Sequence, residues 1–176
     1  MFKCFYPDRY YDSAYNIEYR DLYEAGYRGI VFDVDNTLVE HGAPVTERAI
    51  KLFADLQAMG YETCIISNNS EPRVKPLADK VNSKYVSKAN KPSRKNYIKA
   101  MEIMGTDTSN TFFVGDQLFT DVWGANRADM MSMLVMPIDK HEEIQIVLKR
   151  YLERIVLHFY KKSDSADVRI NGKKCD

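Results

Sequence analysis

The sequence predicts an α/β domain, built on a central parallel sheet of about five strands with helices on both faces. Two observations support this fold class. Short apolar runs recur along the 176 residues, and between them apolar side chains return at the three- and four-residue spacing of amphipathic helices. Strands covered by helices on both faces are continuously apolar, as these runs are, so the pattern indicates a parallel sheet.

Each predicted strand is a short apolar run that ends in polar residues. The runs span residues 29–35, 63–67, 84–89, 111–116 and 131–137. The first reads GIVFDVD, so two aspartates one residue apart follow its apolar part. This ending is unusual for a buried strand and directs attention to the residues behind it.

Capping residues predict two of the helices that connect these strands. Thr46 is suited to cap a helix whose apolar side includes Phe53 and which Gly60 ends. Ser93 begins a second helix, which ends at Gly105. The alternation of strand and helix is therefore continuous through the middle of the chain.

We predict four segments along the chain. Residues 26–138 form the α/β core, which is preceded by an aromatic-rich N-terminal arm, residues 1–25. A C-terminal amphipathic helix, residues 139–162, follows the core. Residues 163–176 are polar and mixed in charge, a composition that is typical of a flexible tail.

Composition argues against several classes of protein. The chain has 25 basic and 25 acidic residues, so it lacks the basic excess of most nucleic-acid-binding proteins. Its three cysteines are far apart, which indicates neither a disulfide framework nor a structural zinc site. No run approaches the roughly 18 apolar residues of a membrane span. We expect a cytoplasmic protein that binds no nucleic acid.

Polar side chains follow the predicted strands, at the edge where ligands bind in sheets of this kind. Asp33 and Asp35 close the first strand, Ser67 closes the second, and Asp116 closes the fourth. Two unit charges about 4 Å apart repel by roughly 4 kcal/mol at an effective dielectric of 20, so clustered carboxylates need a cation. Oxygen ligands suit Mg²⁺ better than zinc. A nearby lysine then fits a second, anionic group such as a phosphoryl.

Four motifs, in order, resemble those of the haloacid dehalogenase (HAD) superfamily. They are DVDNTL, IISN, a lysine near residue 91, and VGDQLFTD. Within the superfamily, subfamily IIIA, the segments YRGIVFDVDNTL, SNNS, KANKP and GDQLFTD resemble the YqeG family of phosphatases. The resemblance covers residues 7–138 and implies a Rossmann-like HAD fold with phosphatase activity. The short intervals between the motifs leave no room for a large cap domain, which suits a bulky substrate or a homo-oligomer that shields the site.

The resemblance also implies roles for five residues. Asp33 attacks phosphorus and carries an aspartyl-phosphate. Asp35 protonates the leaving group and then activates water. Ser67 and Asn68 hold phosphoryl oxygens, and Lys91 offsets their charge.

By the same resemblance, four residues bind Mg²⁺. Asp33, Asp116 and Asp121 contribute carboxylates, and Asp35 contributes its backbone carbonyl. Thr37 is expected to support the turn after the first strand.

Simpler alternatives remain open for these assignments. A D-x-D pair at a strand end is often only solvated, Lys88 is an alternative to Lys91, and Asp121 can cap the next helix instead of binding metal. His41 either touches substrate or lies in an exposed loop. Gly115 is predicted to allow a tight turn after its strand.

The predicted C-terminal helix carries an apolar stripe with basic borders. The stripe consists of Ile144, Val147, Leu148, Tyr151, Leu152, Ile155 and Phe159, and the basic residues are Lys149, Arg150, Arg154, Lys161 and Lys162. Such a helix can lie on the anionic inner face of a membrane, or its stripe can pack against the sheet.

Three functions are compatible with these features. Because the YqeG family also resembles the mitochondrial phosphatidylglycerophosphate phosphatases, the leading one is Mg²⁺-dependent hydrolysis of phosphatidylglycerophosphate. The second is the same chemistry on a soluble or protein phosphate ester. The third is a non-enzymatic phospho-acceptor or binding module, as in receiver domains. Asp35 favours turnover, because a phospho-acceptor needs no general acid two residues after its acceptor aspartate.

Overall fold

The computed structural model describes residues 2–139, 144–163, 165–170 and 173–174. The helices are α1 (Tyr19–Glu24), α2 (Glu47–Met59), α3 (Glu71–Lys80), α4 (Arg94–Met104), α5 (Trp123–Arg127) and α6 (Ile144–Lys161). The strands are β1 (Arg9–Tyr11), β2 (Gly29–Phe32), β3 (Glu62–Ile66), β4 (Lys84–Val86), β5 (Thr111–Gly115), β6 (Met131–Val135), β7 (Val168–Ile170) and β8 (Lys173–Lys174).

The strands form one sheet in the order β4-β3-β2-β5-β6-β1-β7-β8. The first seven in this order are parallel, and β8 pairs antiparallel with β7. The predicted fold class is confirmed, but the prediction of about five strands is too low. The additional strands β1, β7 and β8 come from the segments predicted as arm and tail. They have two or three residues each, too few to form a recognisable apolar run.

Helices cover both faces of the sheet, and the central strand β2 shows how. Ile30 and Phe32 belong to one core cluster, together with Phe53 of α2. Val31 points to the opposite face and packs in a second cluster with Tyr97 of α4. Successive side chains of a strand point to opposite faces, so β2 is buried from both sides, which explains its continuous apolar run.

The predicted helix caps are found in α2. The Thr46 hydroxyl accepts a hydrogen bond from the Ala49 amide at 3.2 Å, and Gly60 ends the helix with a φ of 101°. Gly105 ends α4 in the same left-handed conformation, with a φ of 71°. These caps fix the loops that return the chain to the sheet.

Helix α6 packs against the sheet beside β1 and β6. The face that packs there is not the predicted apolar stripe. Val156 and Tyr160 are buried with Tyr10 and Leu134. The predicted apolar stripe is exposed from residue 147 onward, so the alternative in which it packs on the sheet is wrong for these residues. None of the helices in the described ranges is long and apolar enough to cross a membrane.

Candidate active site

The candidate site lies where the adjacent strands β2 and β5 end. Asp33 directly follows β2, and its amide donates to the Val114 carbonyl of β5 at 2.9 Å. Asp116 directly follows β5. The two aspartates are distant in sequence, and the parallel pairing of their strands brings them to the same edge.

Three of the predicted metal ligands form a buried cluster at this edge. Carboxylate oxygens of Asp33, Asp116 and Asp121 lie within 4.8 Å of one another, and all three residues are buried. A donor set of carboxylate oxygens fits a hard divalent cation such as Mg²⁺. The described residues therefore offer a suitable cation site.

Lys91 places its ammonium inside this cluster. Its Nζ atom lies 2.5 Å from Asp33 Oδ1 and 2.6 Å from Asp121 Oδ1. Burial alone would lower the pKa of Lys91, but the Asp121 and Asp33 carboxylates raise it above its usual value. The alternative residue, Lys88, is exposed and makes no ion pair with any residue in the described ranges. Of the two lysines, the structure brings Lys91 to the carboxylates.

Burial also shifts the carboxyl groups. It raises the pKa of Asp33 to about 8, although the Lys91 charge opposes the shift. It raises the pKa of Asp116 to about 7, and there the Arg150 charge opposes it. The nearby Asp121 charge adds to both shifts. Without a further cation, Asp33 and Asp116 thus favour retention of their protons near neutral pH, and a bound divalent cation would remove that preference.

Asp116 has a partner for each of its carboxylate oxygens. Thr37 donates its hydroxyl to Oδ1 at 3.2 Å, so the threonine behind the first motif orients a residue of the fourth. The Arg150 guanidinium, from α6, contacts Oδ2 and also donates to the Asp116 carbonyl. Both partners come from elements outside the loop that carries Asp116.

Asp121 holds that loop together while it faces the cluster. Its Oδ2 atom accepts hydrogen bonds from the amides of Asp116 and Gln117, each at 3.1 Å. A Cβ on Gly115 would lie 2.5 Å from the same oxygen. Glycine is needed here to make room for the Asp121 carboxylate. Gly115 does not have a left-handed φ, so the close approach of Asp121, and not glycine's backbone freedom, is what requires glycine here.

The Asp35 carboxylate lies outside the cluster and is held by three donors. They are the Gly42 amide at 2.9 Å, the Asn69 side-chain amide at 2.8 Å, and the Arg73 guanidinium at 3.0 Å. The side chain of Asp35 is partly exposed. The two aspartates of the first motif thus have different surroundings, since Asp33 contacts the buried lysine and Asp35 contacts the loop and α3.

Ser67 and Asn68 lie at the same edge of the sheet, after β3. Ser67 is buried, and its hydroxyl accepts a hydrogen bond from the Asn69 amide at 3.1 Å. The Asn68 side chain accepts from the Lys91 amide at 2.6 Å and thereby fixes the backbone of the lysine loop. His41 lies exposed in the loop after the first motif.

The sequence did not single out Arg73 or Arg150 as site residues. A signal for Arg73 exists, because it lies in the first turn of α3, which directly follows the SNNS segment. Arg150 has no such signal. It is 34 positions from Asp116, on a helix whose most conspicuous feature is its apolar stripe.

Comparisons with known proteins show the family of the chain. Residues 41–129 match the family described as haloacid dehalogenase-like hydrolase. The protein named probable phosphatase YqeG from Bacillus subtilis is 34% identical over 161 residues, which cover 91% of this chain and 94% of that protein. Phosphatidylglycerophosphate phosphatase 1 from Arabidopsis thaliana is 25% identical over 162 residues, which cover 83% of this chain but 44% of the plant protein.

A solved structure shares the fold. The cobalt-bound deoxy-D-mannose-octulosonate 8-phosphate phosphatase from Haemophilus influenzae aligns with a TM-score of 0.52 and 12% identity. The alignment covers 62% of this chain and 68% of the other. At this identity, the similarity supports the architecture of the sheet and its helices.

Proposed function

The chain belongs to the haloacid dehalogenase-like hydrolases and, within them, to the YqeG phosphatases, and we propose that it hydrolyses phosphate monoesters with Mg²⁺ through an aspartyl-phosphate. One observation carries this proposal. The Lys91 ammonium contacts Asp33 inside a buried cluster of three carboxylates. A cation site and an ammonium at the same carboxylate are suited to an incoming phosphoryl group.

In the first step, an Asp33 oxygen attacks phosphorus, and the bond from phosphorus to the leaving oxygen breaks. Asp35 gives its proton to the leaving alkoxide. Lys91 balances the charge on the phosphoryl oxygens, and Ser67 and Asn68 contribute polar contacts. The Asp33, Asp116 and Asp121 carboxylates and the Asp35 carbonyl would hold Mg²⁺, which would supply further positive charge when bound.

In the second step, Asp35 removes a proton from water, which attacks the aspartyl-phosphate and releases inorganic phosphate and free Asp33. Arg73 and Asn69 support this role, because they hold the Asp35 carboxylate away from the metal ligands. The Asp35 carboxylate thus stays outside the carboxylate cluster, in the position from which we propose that it transfers protons while Asp33 acts as the nucleophile.

For the substrate, we propose phosphatidylglycerophosphate. The names of the plant and algal relatives support this choice. So does the open site, because between Asp35 and Ser67 the chain forms only α2 and β3, and between Ser67 and Lys91 only α3 and β4. With no cap to close over a small metabolite, the site suits a phosphate on a bulky molecule.

The exposed stripe of α6 supports contact with an anionic membrane. Leu148 is 68% exposed and Tyr151 is 63% exposed, and they continue into Leu152, Ile155 and Phe159. Among the side chains of α6 that the structure describes, the one carboxylate, Glu153, is buried. The exposed basic residues that border or follow the stripe are Lys149, Arg154, Lys161 and Lys162. An apolar face with basic borders is typical of helices that lie on anionic lipid. We place the reaction in the cytoplasm, at the inner face of the membrane.

The test is phosphate release by wild type and Asp33→Asn, with and without Mg²⁺, from phosphatidylglycerophosphate in mixed micelles and from soluble phosphate esters. We expect release that requires both Mg²⁺ and Asp33 and that strongly prefers the lipid. Preference for a soluble ester would retain the mechanism and exclude the lipid. Absence of Mg²⁺-dependent turnover on every ester would favour a phospho-acceptor or binding module.

A further inference from the structure

A cleft of about 330 Å³ lies between the end of β6 and α6, next to the carboxylate cluster. Leu134 and Pro137 line one side, and Val147 and Leu157 of α6 line the other. Asp116 also lines the cleft, and its carboxylate lies within 4.8 Å of that of Asp33. The cleft therefore has a partly apolar lining and borders Asp116, one of the candidate metal ligands, whose buried carboxylate is covered by Arg150.

The cleft also carries a cationic group that no described side chain neutralises. Of the two arginines in its lining, Arg150 contacts Asp116 and Glu153. Arg154 is exposed and forms no ion pair with any side chain in the described ranges. A partly apolar lining with an exposed cation that no described carboxylate pairs is complementary to an amphiphile that carries an anionic group.

The cleft is continuous with the exposed stripe of α6. Val147 and Tyr151 line the cleft and are also 49% and 63% exposed, respectively. Tyr151 lies beside Leu148 and Leu152 on the exposed face of the helix. The same helix thus presents an apolar surface to the outside and an apolar wall towards Asp116.

We propose that this cleft binds the non-reacting part of a glycerophospholipid substrate. The inference rests on the proposed lipid phosphatase function and adds a binding subsite to it. The phosphate monoester lies at Asp33, the phosphodiester pairs with Arg154, and the acyl chains follow the walls at Leu134 and Val147 towards the stripe. Phosphatidylglycerophosphate fits this arrangement because one glycerol unit separates its phosphodiester from its monoester.

Two substitutions with matched controls test the subsite. Arg154→Ala removes the cation of the cleft, and Lys75→Ala removes an exposed cation of α3 that lies neither in the cleft nor beside the stripe. Val147→Trp fills the cleft, and Ile103→Trp places the same ring at an exposed position of α4 that belongs to neither the cleft nor the stripe. The substrates are dihexanoyl phosphatidylglycerophosphate, used as a monomer, and glycerol 3-phosphate, which has the monoester alone.

We expect Arg154→Ala to raise KM for the lipid roughly tenfold, which is the effect of losing one charge-assisted contact. Its kcat/KM for glycerol 3-phosphate should remain that of wild type, and Arg154→Lys should recover part of the loss. Val147→Trp should also raise KM for the lipid, while Lys75→Ala and Ile103→Trp should not. Calorimetric binding of dihexanoyl phosphatidylglycerol to the Asp33→Asn protein should weaken with the same two cleft substitutions.

Two results would overturn the assignment of the cleft, and only one of them would also exclude the proposed lipid substrate. If wild type prefers the lipid but the cleft substitutions behave like their controls in both assays, the cleft is not the subsite and the lipid phosphatase remains. If wild type hydrolyses glycerol 3-phosphate as efficiently as the lipid, with the same need for Mg²⁺ and Asp33, the proposed substrate fails together with the cleft assignment.

Discussion

The Arg150 guanidinium contacts both the carboxylate and the backbone carbonyl of Asp116, the latter at 2.5 Å. Arg150 also pairs with Glu153 at 3.0 Å, and Glu153 accepts a hydrogen bond from the Leu118 amide at 2.7 Å. Two side chains of α6 are thus bonded to the loop that presents Asp116 and Asp121. The C-terminal helix supports the candidate metal site.

The first prediction concerns this contact. Arg150→Ala leaves the Asp116 carboxylate buried without its cation, a change that typically costs about 3–5 kcal/mol. We expect a loss of that size in the free energy of unfolding of the metal-free protein, measured with urea. Mg²⁺ should recover part of it, because it supplies positive charge to the same carboxylate. Arg154→Ala, on the same helix, is the control. An unchanged urea midpoint for Arg150→Ala would contradict the prediction.

The second prediction separates the two lysines that the sequence left as alternatives. Removing one preorganised charge from a site of this kind typically lowers kcat by about 10²–10³-fold. We expect that effect for Lys91→Ala, since the Lys91 ammonium contacts Asp33, and wild-type kcat for Lys88→Ala, since Lys88 is exposed. Phosphate release from a soluble ester measures both. Equal losses in the two variants would exclude a specific role for Lys91.

The third prediction concerns the orientation of Asp35. Arg73 donates to Asp35 Oδ1 at 3.0 Å and to the Ala43 carbonyl at 2.9 Å, so it ties the acid–base aspartate to its loop. Arg73→Ala should lower kcat by roughly tenfold to a hundredfold, because misplacement of a reacting group by about 1 Å costs up to that much. KM should change less than kcat, and the pH profile of kcat should shift.

The matched control for Arg73 lies on the same helix. Lys75 pairs with Asp79 on the exposed side of α3, so Lys75→Ala removes a cation of that helix without touching Asp35. The control should retain the wild-type kcat and pH profile. Arg73→Ala with unchanged kcat and pH profile would show that Asp35 does not need this support.

The meeting of the carboxylates was predictable from the sequence, whereas the contacts around them were not. Asp33 and Asp116 end apolar runs, and parallel strands bring such ends to one edge whatever the loops do. The choice of Lys91 over Lys88 depends on loop geometry, because both lysines lie in the same short segment. Arg150 reaches Asp116 only through the packing of α6, which depends on contacts that are distant in sequence.

The missed strands have a related cause. β1 reads RYY and β7 reads VRI, and neither is a recognisable apolar run. Their pairing depends on the neighbouring strands, since β1 lies between β6 and β7. Strand propensity in such short segments follows tertiary context more than local sequence.

The fourth prediction concerns pH. In the folded protein, burial raises the pKa of Asp33 to about 8 and that of Asp116 to about 7, whereas an unfolded chain ionises such groups near pH 4. As pH rises between these values, the unfolded chain loses protons that the folded protein retains. The free energy of unfolding of the metal-free protein should therefore fall as pH rises from about 4 to about 8.

Mg²⁺ should change that dependence, because it binds the ionised carboxylates and its binding releases protons. Thermal unfolding between pH 5 and pH 8.5 should show a larger increase in Tm on adding Mg²⁺ at the alkaline end. Asp33→Asn removes one of the two titrating carboxyl groups, so the stability of the metal-free variant should depend less on pH. A metal-free protein that becomes more stable across this range would contradict the assigned shifts.

The fifth prediction is that the exposed stripe of α6 binds anionic vesicles. Leu148→Asp with Ile155→Asp places two carboxylates on the stripe, which removes apolar area and repels anionic lipid. We expect at least a tenfold loss of binding to vesicles that contain phosphatidylglycerol, measured by co-sedimentation. Wild-type binding should weaken with added salt and with zwitterionic vesicles, because each basic residue near the surface contributes about 1 kcal/mol.

The vesicle assay needs a control substitution, and self-association of the stripe needs a separate measurement. Ile103 of α4 is 38% exposed, so Ile103→Asp adds a carboxylate to another apolar surface position and should leave vesicle binding unchanged. A second copy of the chain is the other occupant that an apolar face can accept, and it would make the protein a homo-oligomer. Light scattering without lipid distinguishes the two. The stripe would be assigned to self-association if the double substitution dissociates a dimer and leaves vesicle binding equal to that of wild type. The same apolar surface cannot be buried between two chains and also lie on lipid.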